Sequence, residues 1–430
     1  MATATLVLVL FFGTMLMGMP LAYSMLFTGF VSLHFMHPEI SPIIVPQRVF
    51  GGVNNFILLC IPFFIMAGDL MSMTKLFDQL INVANAIIGR VKGALSHIVI
   101  LVAMFFAGIT GAATADTSAV GSLLIPAMVK QGYRKQYATA VTVVASTIGV
   151  IIPPSNLMIV AALATSTSVA VLLLGGIIPG VLAAMAMLVW SVYYGIKHGF
   201  PAFPPMSWRE RLWIFWRSLP ALGIPVILMG GVLSGVVTPT EAADVSIFYA
   251  LTVGPALLRR FPTAKQLQES SLMVVGRVSA VMSCVGASLV LGWIFAISEV
   301  PEAVGRFISS ITTNAVLIVA GMLVTYLIVG CFMDPIPAIL IFSPIFQPLA
   351  ESVGMSPEHF AVVMVFGMTI GLATPPVGSC LYVGAAISGL RIDEFTLDMI
   401  PYIVAMTIIL FVIAYIPSLV LLIPNLMLRR

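Results

Sequence analysis

Charge is the property this sequence has least of. Asp, Glu, Lys and Arg make up 8% of its 430 residues, whereas a typical soluble domain carries about a quarter. Together with 60% apolar residues, this scarcity excludes a soluble enzyme, a disordered chain and a nucleic-acid-binding protein. The formal net charge of +3 is too small to imply a polyanionic partner. The composition therefore predicts a polytopic protein whose surroundings are the lipid bilayer.

Cysteine is also sparse and forms no recognisable site. The four cysteines (Cys60, Cys284, Cys331 and Cys380) lie in apolar runs without CxxC spacing, which predicts neither a disulfide framework nor a metal site. The sequence contains no HExxH, GxGD or GxSxG motif, and this disfavours an intramembrane enzyme. A channel stays open as a further alternative, although nothing resembles a selectivity filter.

Long apolar runs, by contrast, fill most of the chain. A bilayer core about 30 Å thick needs roughly 20 apolar residues for each helical crossing. Suitable stretches fall near residues 4–33, 50–72, 94–110, 137–165, 169–196, 217–237, 241–258, 271–297, 313–333, 358–389 and 397–424. The first stretch fits either one helix interrupted at Pro20 or two short helices, so the side of the N-terminus stays open.

Two segments that lie 222 residues apart share their helix-breaking residues. Thr147-Ile148-Gly149 followed by Pro153-Pro154 matches Thr369-Ile370-Gly371 followed by Pro375-Pro376, without a gap. Proline removes a backbone donor and clashes with the preceding turn, so each pair should unwind its helix within the membrane. The match predicts an internal duplication with one broken helix in each half.

The number of membrane crossings between matching residues of the two repeats determines whether the two halves have the same or opposite orientation. If residues 94–131 and 313–352 are re-entrant hairpins, an odd number of crossings separates the repeats, and the halves are inverted. Inverted repeats with interrupted helices at matching positions are typical of secondary transporters. The predicted fold is thus an all-α polytopic membrane protein with inverted structural repeats, two re-entrant hairpins and two broken helices.

Each break offers groups that bind ions. Unwound carbonyls cannot stay bare in hydrocarbon, so they must line a cavity or bind a cation, and Na⁺ suits uncharged oxygens of this kind. The alternative is a proline kink closed by neighbouring helices and water. Beyond each proline pair, a resumed half-helix starts with free N–H groups that favour an anion. The predicted substrate-binding residues there are Ser155, Asn156, Gly378 and Ser379.

A few charged residues in or near the apolar stretches are candidates for a functional role. Asp116 and Asp334 occupy equivalent positions near the start of each returning half-helix, where a carboxylate caps free N–H groups. Direct coupling of protons or ions by these two carboxylates stays open. Asp69 and Arg277 are functional candidates as intramembrane charges, but we favour positions near helix ends from which they reach the interface.

Several motifs together resemble a known family, the large membrane subunit of the tripartite ATP-independent periplasmic (TRAP) transporters. They are Ile61-Pro62-Phe63-Phe64, Ala115-Asp116, Ile125-Pro126-Ala127-Met128, Ile151-Ile152-Pro153-Pro154-Ser155 and Thr238-Pro239-Thr240-Glu241-Ala242-Ala243. The sequence departs from the family at the first hairpin tip, where Thr110-Gly111-Ala112-Ala113 replaces the usual Ser-Gly-Ser-Ser. Two hydroxyls are missing there, so Ala112 and Ala113 cannot be side-chain ligands.

The resemblance implies a Na⁺-coupled importer of a small organic acid, of the sialic acid or C4-dicarboxylate type, with an elevator-type fold. It also implies a location in the bacterial inner membrane, a small four-helix membrane subunit as partner, and a periplasmic binding protein that delivers substrate. A stand-alone ion-coupled carrier of the same fold, without accessory subunits, is the alternative. The identity of the acid and the number of sodium ions per cycle stay open.

Two sodium sites are implied by the same resemblance, mostly through carbonyl oxygens. The first would use Thr110, Gly111, Gly149, Ile152 and Pro154, and the second Gly330, Gly371, Thr374 and Val377. The expected domain organisation follows the repeat. It comprises an N-terminal membrane segment (1–49), a scaffold helix and arm (50–93), a first transport half (94–165), scaffold helices and linkers (166–312), a second transport half (313–389) and a C-terminal scaffold helix (390–430).

Overall fold

The computed structural model describes residues 2–73, 76–88, 91–110, 112–203, 206–233, 236–258 and 261–428. Within these residues the chain is helical and has no β-strand. The α-helices are α1 (Ala2–Leu16), α2 (Leu21–Met36), α3 (Ile44–Val53), α4 (Cys60–Met73), α5 (Leu76–Ile88), α6 (Ala94–Thr110), α7 (Ala113–Lys130), α8 (Lys135–Ile148), α9 (Asn156–Ala164), α10 (Val169–Lys197), α11 (Trp208–Leu233), α12 (Pro239–Leu251), α13 (Val253–Leu258), α14 (Ala264–Ile297), α15 (Val300–Ile311), α16 (Ala315–Phe332), α17 (Pro335–Ser352), α18 (Pro357–Gly371), α19 (Ser379–Ser388), α20 (Ile392–Tyr415) and α21 (Ser418–Leu428). A 3₁₀ helix, Phe56–Leu59, precedes α4.

Long apolar helices alternate with short ones. Among the described residues, four helices are long and apolar enough to cross a membrane on their own, namely α10, α14, α16 and α20. The predicted spans 137–165 and 358–389 are each divided at the proline pair, into α8 and α9 and into α18 and α19. The first apolar stretch forms two helices, because the chain leaves α1 before Pro20 and starts α2 after it.

Three other predicted spans are wrong in detail. The stretch at 50–72 is not one helix, because α3 ends at Val53 and Asn54 and Asn55 separate it from the 3₁₀ helix that leads into α4. Asparagine side chains compete with helical backbone hydrogen bonds, which explains the interruption. The stretch at 241–258 is divided at Thr252, between α12 and α13, and the stretch at 397–424 is divided at Ile416 and Pro417, between α20 and α21.

Helices from the two repeats pack crosswise. α7, which follows the turn after α6, lies against α19, which follows the second break. Likewise α17, which follows the turn after α16, lies against α9, which follows the first break. Each half therefore contributes one wall to the surroundings of the other half's interrupted helix.

The remaining helices form two groups of contacts. α14 packs against α2, α3 and α4 and also against α17, while α11 packs against α5 and α12. α10 and α20 instead pack against each other and against α18, and α20 also packs along α8. α10 and α20 are therefore associated with the broken helices, whereas α14 and α11 belong to the other group.

Polar contacts reinforce the packing of α20 on α8. The Tyr137 hydroxyl is 2.9 Å from the hydroxyl of Tyr402 and 3.2 Å from that of Ser191 on α10. All three side chains are buried, where unpaired polar groups would be costly. Near the same helix ends, Arg134 donates to Asp398 at 2.8 Å. These contacts hold α8, α10 and α20 together.

Candidate ion and substrate site

The first break is closed by its own serine. α8 ends at Ile148, and α9 begins only at Asn156, with Ser155 as its N-cap. The Ser155 hydroxyl accepts from the Met158 N–H at 3.2 Å and donates to the carbonyl of Val150. The intervening Pro153-Pro154 peptide bond is cis. The unwound turn is thus held in a compact loop by one side chain.

Two glycines of α10 support this loop from outside. Gly176 lies against the carbonyl oxygen of Ile151, and Gly180 lies against the side chain of Ile152. A β-carbon at either glycine would overlap these atoms. From the sequence, a Gly-x-x-x-Gly spacing indicates only that a helix can approach another closely. Here the approaching partner is the unwound backbone of the first break.

The second break has a comparable glycine contact. α18 ends at Gly371 and α19 begins at Ser379, and the Pro375-Pro376 bond between them is also cis. Gly371 lies directly against the backbone of Gly330 in α16, and a β-carbon on Gly330 would lie 2.6 Å from the carbonyl oxygen of Met368. Gly330 and Gly371, both in the second predicted sodium set, are therefore brought together.

Thr374 and Val377 complete that set within the unwound turn. The Thr374 hydroxyl donates to the Ile370 carbonyl at 2.8 Å. A hydroxyl has one donor hydrogen and two acceptor lone pairs, so Thr374 keeps the capacity to bind a cation while it makes this bond. Val377 is 39% exposed, so its carbonyl rather than its side chain is the group of interest.

The structure describes only some of the residues predicted to bind the first sodium ion. Gly149, Ile152 and Pro154 all lie in the unwound segment between α8 and α9. Thr110 is the last residue of α6, which packs against α8. The side chain of Thr110 and the whole of Gly111 lie outside the described residues.

The two aspartates occupy similar but not identical positions. Asp334 is the N-cap of α17, and its carboxylate accepts from the Ile336 N–H at 3.1 Å. In α7 the N-cap position belongs to Ala112, and Asp116 lies buried in the first turn. A carboxylate in a first helical turn interacts favourably with the helix dipole.

A cavity of about 800 Å³ lies between the two groups of helices. Its lining residues belong to α2, α4, α7, α9, α14 and α17 or immediately precede them. Its polar lining comprises Thr114, Ser118, Asn156, Arg277, Ser283 and Asp334. Of the four predicted substrate-binding residues, Asn156 lines this cavity, whereas the hydroxyl of Ser155 is engaged in the loop.

Two polar side chains near the breaks are buried without partners in the described part of the chain. Asn156 is 4% exposed, and its amide oxygen accepts no hydrogen bond there. The hydroxyl of Ser379, the first residue of α19, is likewise without a partner. Buried polar atoms are nearly always satisfied, so these two atoms have an unused capacity to form a hydrogen bond with a ligand or water.

The position of Arg277 differs from the one the sequence favours. The residue is not near a helix end, because α14 runs from Ala264 to Ile297 and Arg277 lies well inside it. Its side chain lines the cavity that Asn156 and Asp334 also line. Sequence patterns could not find this, because a span with polar residues on several faces does not tell which face meets the other half.

The sequence is similar to a family of known transport proteins. The model of the family described as the tripartite ATP-independent periplasmic transporter, DctM component, matches residues 8–419. The Vibrio cholerae sialic acid TRAP transporter large permease protein SiaM is 32% identical over 97% of this chain and 97% of its own length. The Oleidesulfovibrio alaskensis isethionate TRAP transporter permease protein DctMQ is 34% identical over 87% of this chain, which covers 59% of that longer protein.

Among solved structures, the chain is similar in fold to the YdaH transporter of Alcanivorax borkumensis. The TM-score is 0.60, and the match covers 85% of this chain and 86% of the other at 15% identity. At that identity the likeness concerns the fold alone. It supports the all-helical architecture of a membrane transporter.

Proposed function

Because the chain belongs to the DctM family of TRAP transporters, we propose that it imports a small organic acid and couples this import to Na⁺. As a member of a family of transport permeases, it is a transporter subunit and not an enzyme. The observation that carries the proposal is the pair of unwound helices, each bordered by a helix of the opposite half. Such paired breaks are where secondary transporters bind ions and substrate.

Sodium coupling is proposed at both breaks. The second site would use Gly330, Gly371, Thr374 and Val377, and the contact between the two glycines supports this set. The first would use Gly149, Ile152 and Pro154, together with Thr110 and Gly111 at the end of α6. Unwound carbonyls and a hydroxyl offer the uncharged oxygens that Na⁺ requires.

The substrate is proposed to be an acid of the sialic acid or C4-dicarboxylate type. The relatives named above carry sialic acid and isethionate in their names, and both compounds are organic acids. The N-terminal ends of α9 and α19 present free N–H groups to an anion, beside Ser155, Asn156, Gly378 and Ser379. We propose these four residues as substrate contacts.

The family works with a small membrane subunit and a periplasmic binding protein. For this chain we propose a four-helix small subunit and a cognate binding protein as partners, in a bacterial inner membrane. The longer DctMQ relative, a fusion, supports a close association between the two membrane components.

Transport is proposed to occur by an elevator motion of the segments 94–165 and 313–389. The crosswise packing of α7 on α19 and of α17 on α9 supports one compact body. Because α10 and α20 pack against α8 and α18, we assign these two helices to the moving body rather than to the scaffold that their positions in the sequence favoured. The scaffold would then comprise α2 to α5 and α11 to α14.

Reconstitution tests both the function and its main alternative. The chain, the small subunit and the binding protein are assembled in proteoliposomes, and uptake of labelled N-acetylneuraminate, succinate and malate is measured with each component omitted in turn. Uptake of one acid that requires all three components supports the proposal. Equal uptake by the chain alone would identify a stand-alone carrier. If none of the three acids is taken up, this substrate class is excluded.

A further inference from the structure

We propose that Arg277 binds the carboxylate of the substrate in the cavity that it lines together with Asn156. This inference rests on the proposed function, since it concerns the acid that the chain would carry. It adds a cationic contact that the sequence did not provide, because no Lys or Arg occurs within either break.

The charge of Arg277 needs an explanation in this position. Arg277 makes no ion pair or hydrogen bond within the described part of the chain, although it lies well inside an apolar helix. The nearest acidic candidate in the cavity lining, Asp334, already caps α17. A cation in a membrane-spanning segment is costly unless it meets an anion or water, and such residues mark ligand sites.

The same cavity supplies a complementary group. Asn156 follows the first break, is 4% exposed and has a buried amide oxygen without a donor among the described residues. That oxygen requires a hydrogen-bond donor, which a hydroxyl of the ligand can supply. A hydroxylated carboxylic acid could therefore place its carboxylate at Arg277 and a hydroxyl at Asn156. Cavities of about 300–1,000 Å³ hold ligands of such size, and this one has about 800 Å³.

The planar guanidinium explains why arginine rather than lysine occupies the position. Its donors match the two oxygens of a carboxylate in a bidentate arrangement, which lysine cannot reproduce. α17 packs against both α14 and α9, so Arg277 and Asn156 lie on two helices that meet the same third helix, and an acid bound at both residues would contact both α14 and α9.

Substitution of Arg277 tests the inference in the reconstituted complex. We compare Arg277→Gln and Arg277→Lys with the control Arg306→Gln, which removes an exposed arginine of α15 that pairs with Glu299 at 3.8 Å. The transported acid is whichever of N-acetylneuraminate, malate and succinate the wild type takes up. For this acid, KM should rise about tenfold or more in Arg277→Gln. Arg277→Lys should show a smaller rise in KM than Arg277→Gln. In both Arg277 variants, the Na⁺ concentration for half-maximal uptake and the thermal stability should stay unchanged.

A second measurement compares the acid with its uncharged ester. The fully methylated ester of the transported acid has no carboxylate charge, so it should compete poorly with the acid for wild-type uptake, and Arg277→Gln should lose this discrimination. Equal competition by acid and ester in the wild type would overturn the inference, as would an unchanged KM in Arg277→Gln. If the wild type transports no acid at all, the proposed function fails first and this inference falls with it.

Discussion

Gly371 lies against the backbone of Gly330 so closely that a β-carbon on Gly371 would overlap the Gly330 carbonyl group. The contact joins the C-terminal end of α18 to that of α16, at the point where the second helix unwinds. Both positions require glycine because of this close approach and not because of an unusual backbone conformation. The proposed second sodium site is therefore built on a contact that any side chain would disrupt.

Gly371→Ala should consequently impair transport severely. The added methyl group must displace backbone atoms, and overpacking of this kind costs about 1–3 kcal/mol of stability. We expect Na⁺-dependent uptake to fall at least tenfold in proteoliposomes. The matched control is Gly321→Ala in α16, where a β-carbon meets nothing within 4 Å. Equal activity of the two variants would show that the contact is unimportant.

The first break should depend in the same way on Gly176. A methyl group there would overlap the Ile151 carbonyl, so Gly176→Ala should displace the unwound loop and lower the apparent Na⁺ affinity. Gly276→Ala, in the open surroundings of α14, serves as its control. The two variants are compared by measuring uptake at increasing Na⁺ concentrations. If Gly176→Ala has the same Na⁺ dependence as the wild type, the proposal that Gly176 supports the unwound loop is contradicted.

Thr374→Val tests whether a side chain takes part in the second ion site. Valine keeps the shape but removes one oxygen ligand, so the Na⁺ concentration for half-maximal uptake should rise on the order of tenfold. Thr325→Val provides the comparison, because Thr325 makes the same bond to the carbonyl four residues earlier, at 2.8 Å. If both variants behave alike, Thr374 is not a ligand.

The elevator proposal is tested by cross-linking across the cavity. In a background without the four native cysteines, Ala115→Cys on α7 and Ala280→Cys on α14 are joined by a flexible bis-methanethiosulfonate reagent, which forms a reducible disulfide with each cysteine. Both positions line the cavity. Transport should stop and recover on reduction, because the bridge would tie the moving body to the scaffold.

The control pair for this experiment lies within the moving body. Gly121→Cys and Ile387→Cys join α7 to α19, where a β-carbon on Gly121 would lie 3.1 Å from the Ile387 side chain. This pair should leave transport intact when it is bridged. Full activity with the first pair bridged would rule out sliding of the two groups past each other.

Local chemistry explains which parts of the fold could be predicted from the sequence. Proline pairs act on their own backbone, so the breaks at Pro153-Pro154 and Pro375-Pro376 were evident before any tertiary contact was known. The division of the first stretch at Pro20 follows the same rule. Asn54 and Asn55 act locally too, but a pair of asparagines within an apolar run is a weaker signal than proline.

The rest of the site depends on contacts between distant segments. The sequence predicts that Gly176 and Gly180 allow close packing but does not identify the carbonyl of Ile151 as the partner. It also cannot place Arg277 in the cavity, because that position depends on how α14 is rotated against α7, α9 and α17. Long-range packing of this kind leaves no periodic pattern that a single sequence displays.

The dependence of uptake on a sodium gradient tests the central proposal most directly. Proteoliposomes that contain the complete complex are loaded without Na⁺, and initial uptake of the transported acid is measured against external NaCl, KCl or choline chloride at equal ionic strength. With two ion sites, uptake should require the inward Na⁺ gradient and rise with more than first-order dependence on Na⁺ concentration. Equal uptake with K⁺ or choline in place of Na⁺ would contradict the account.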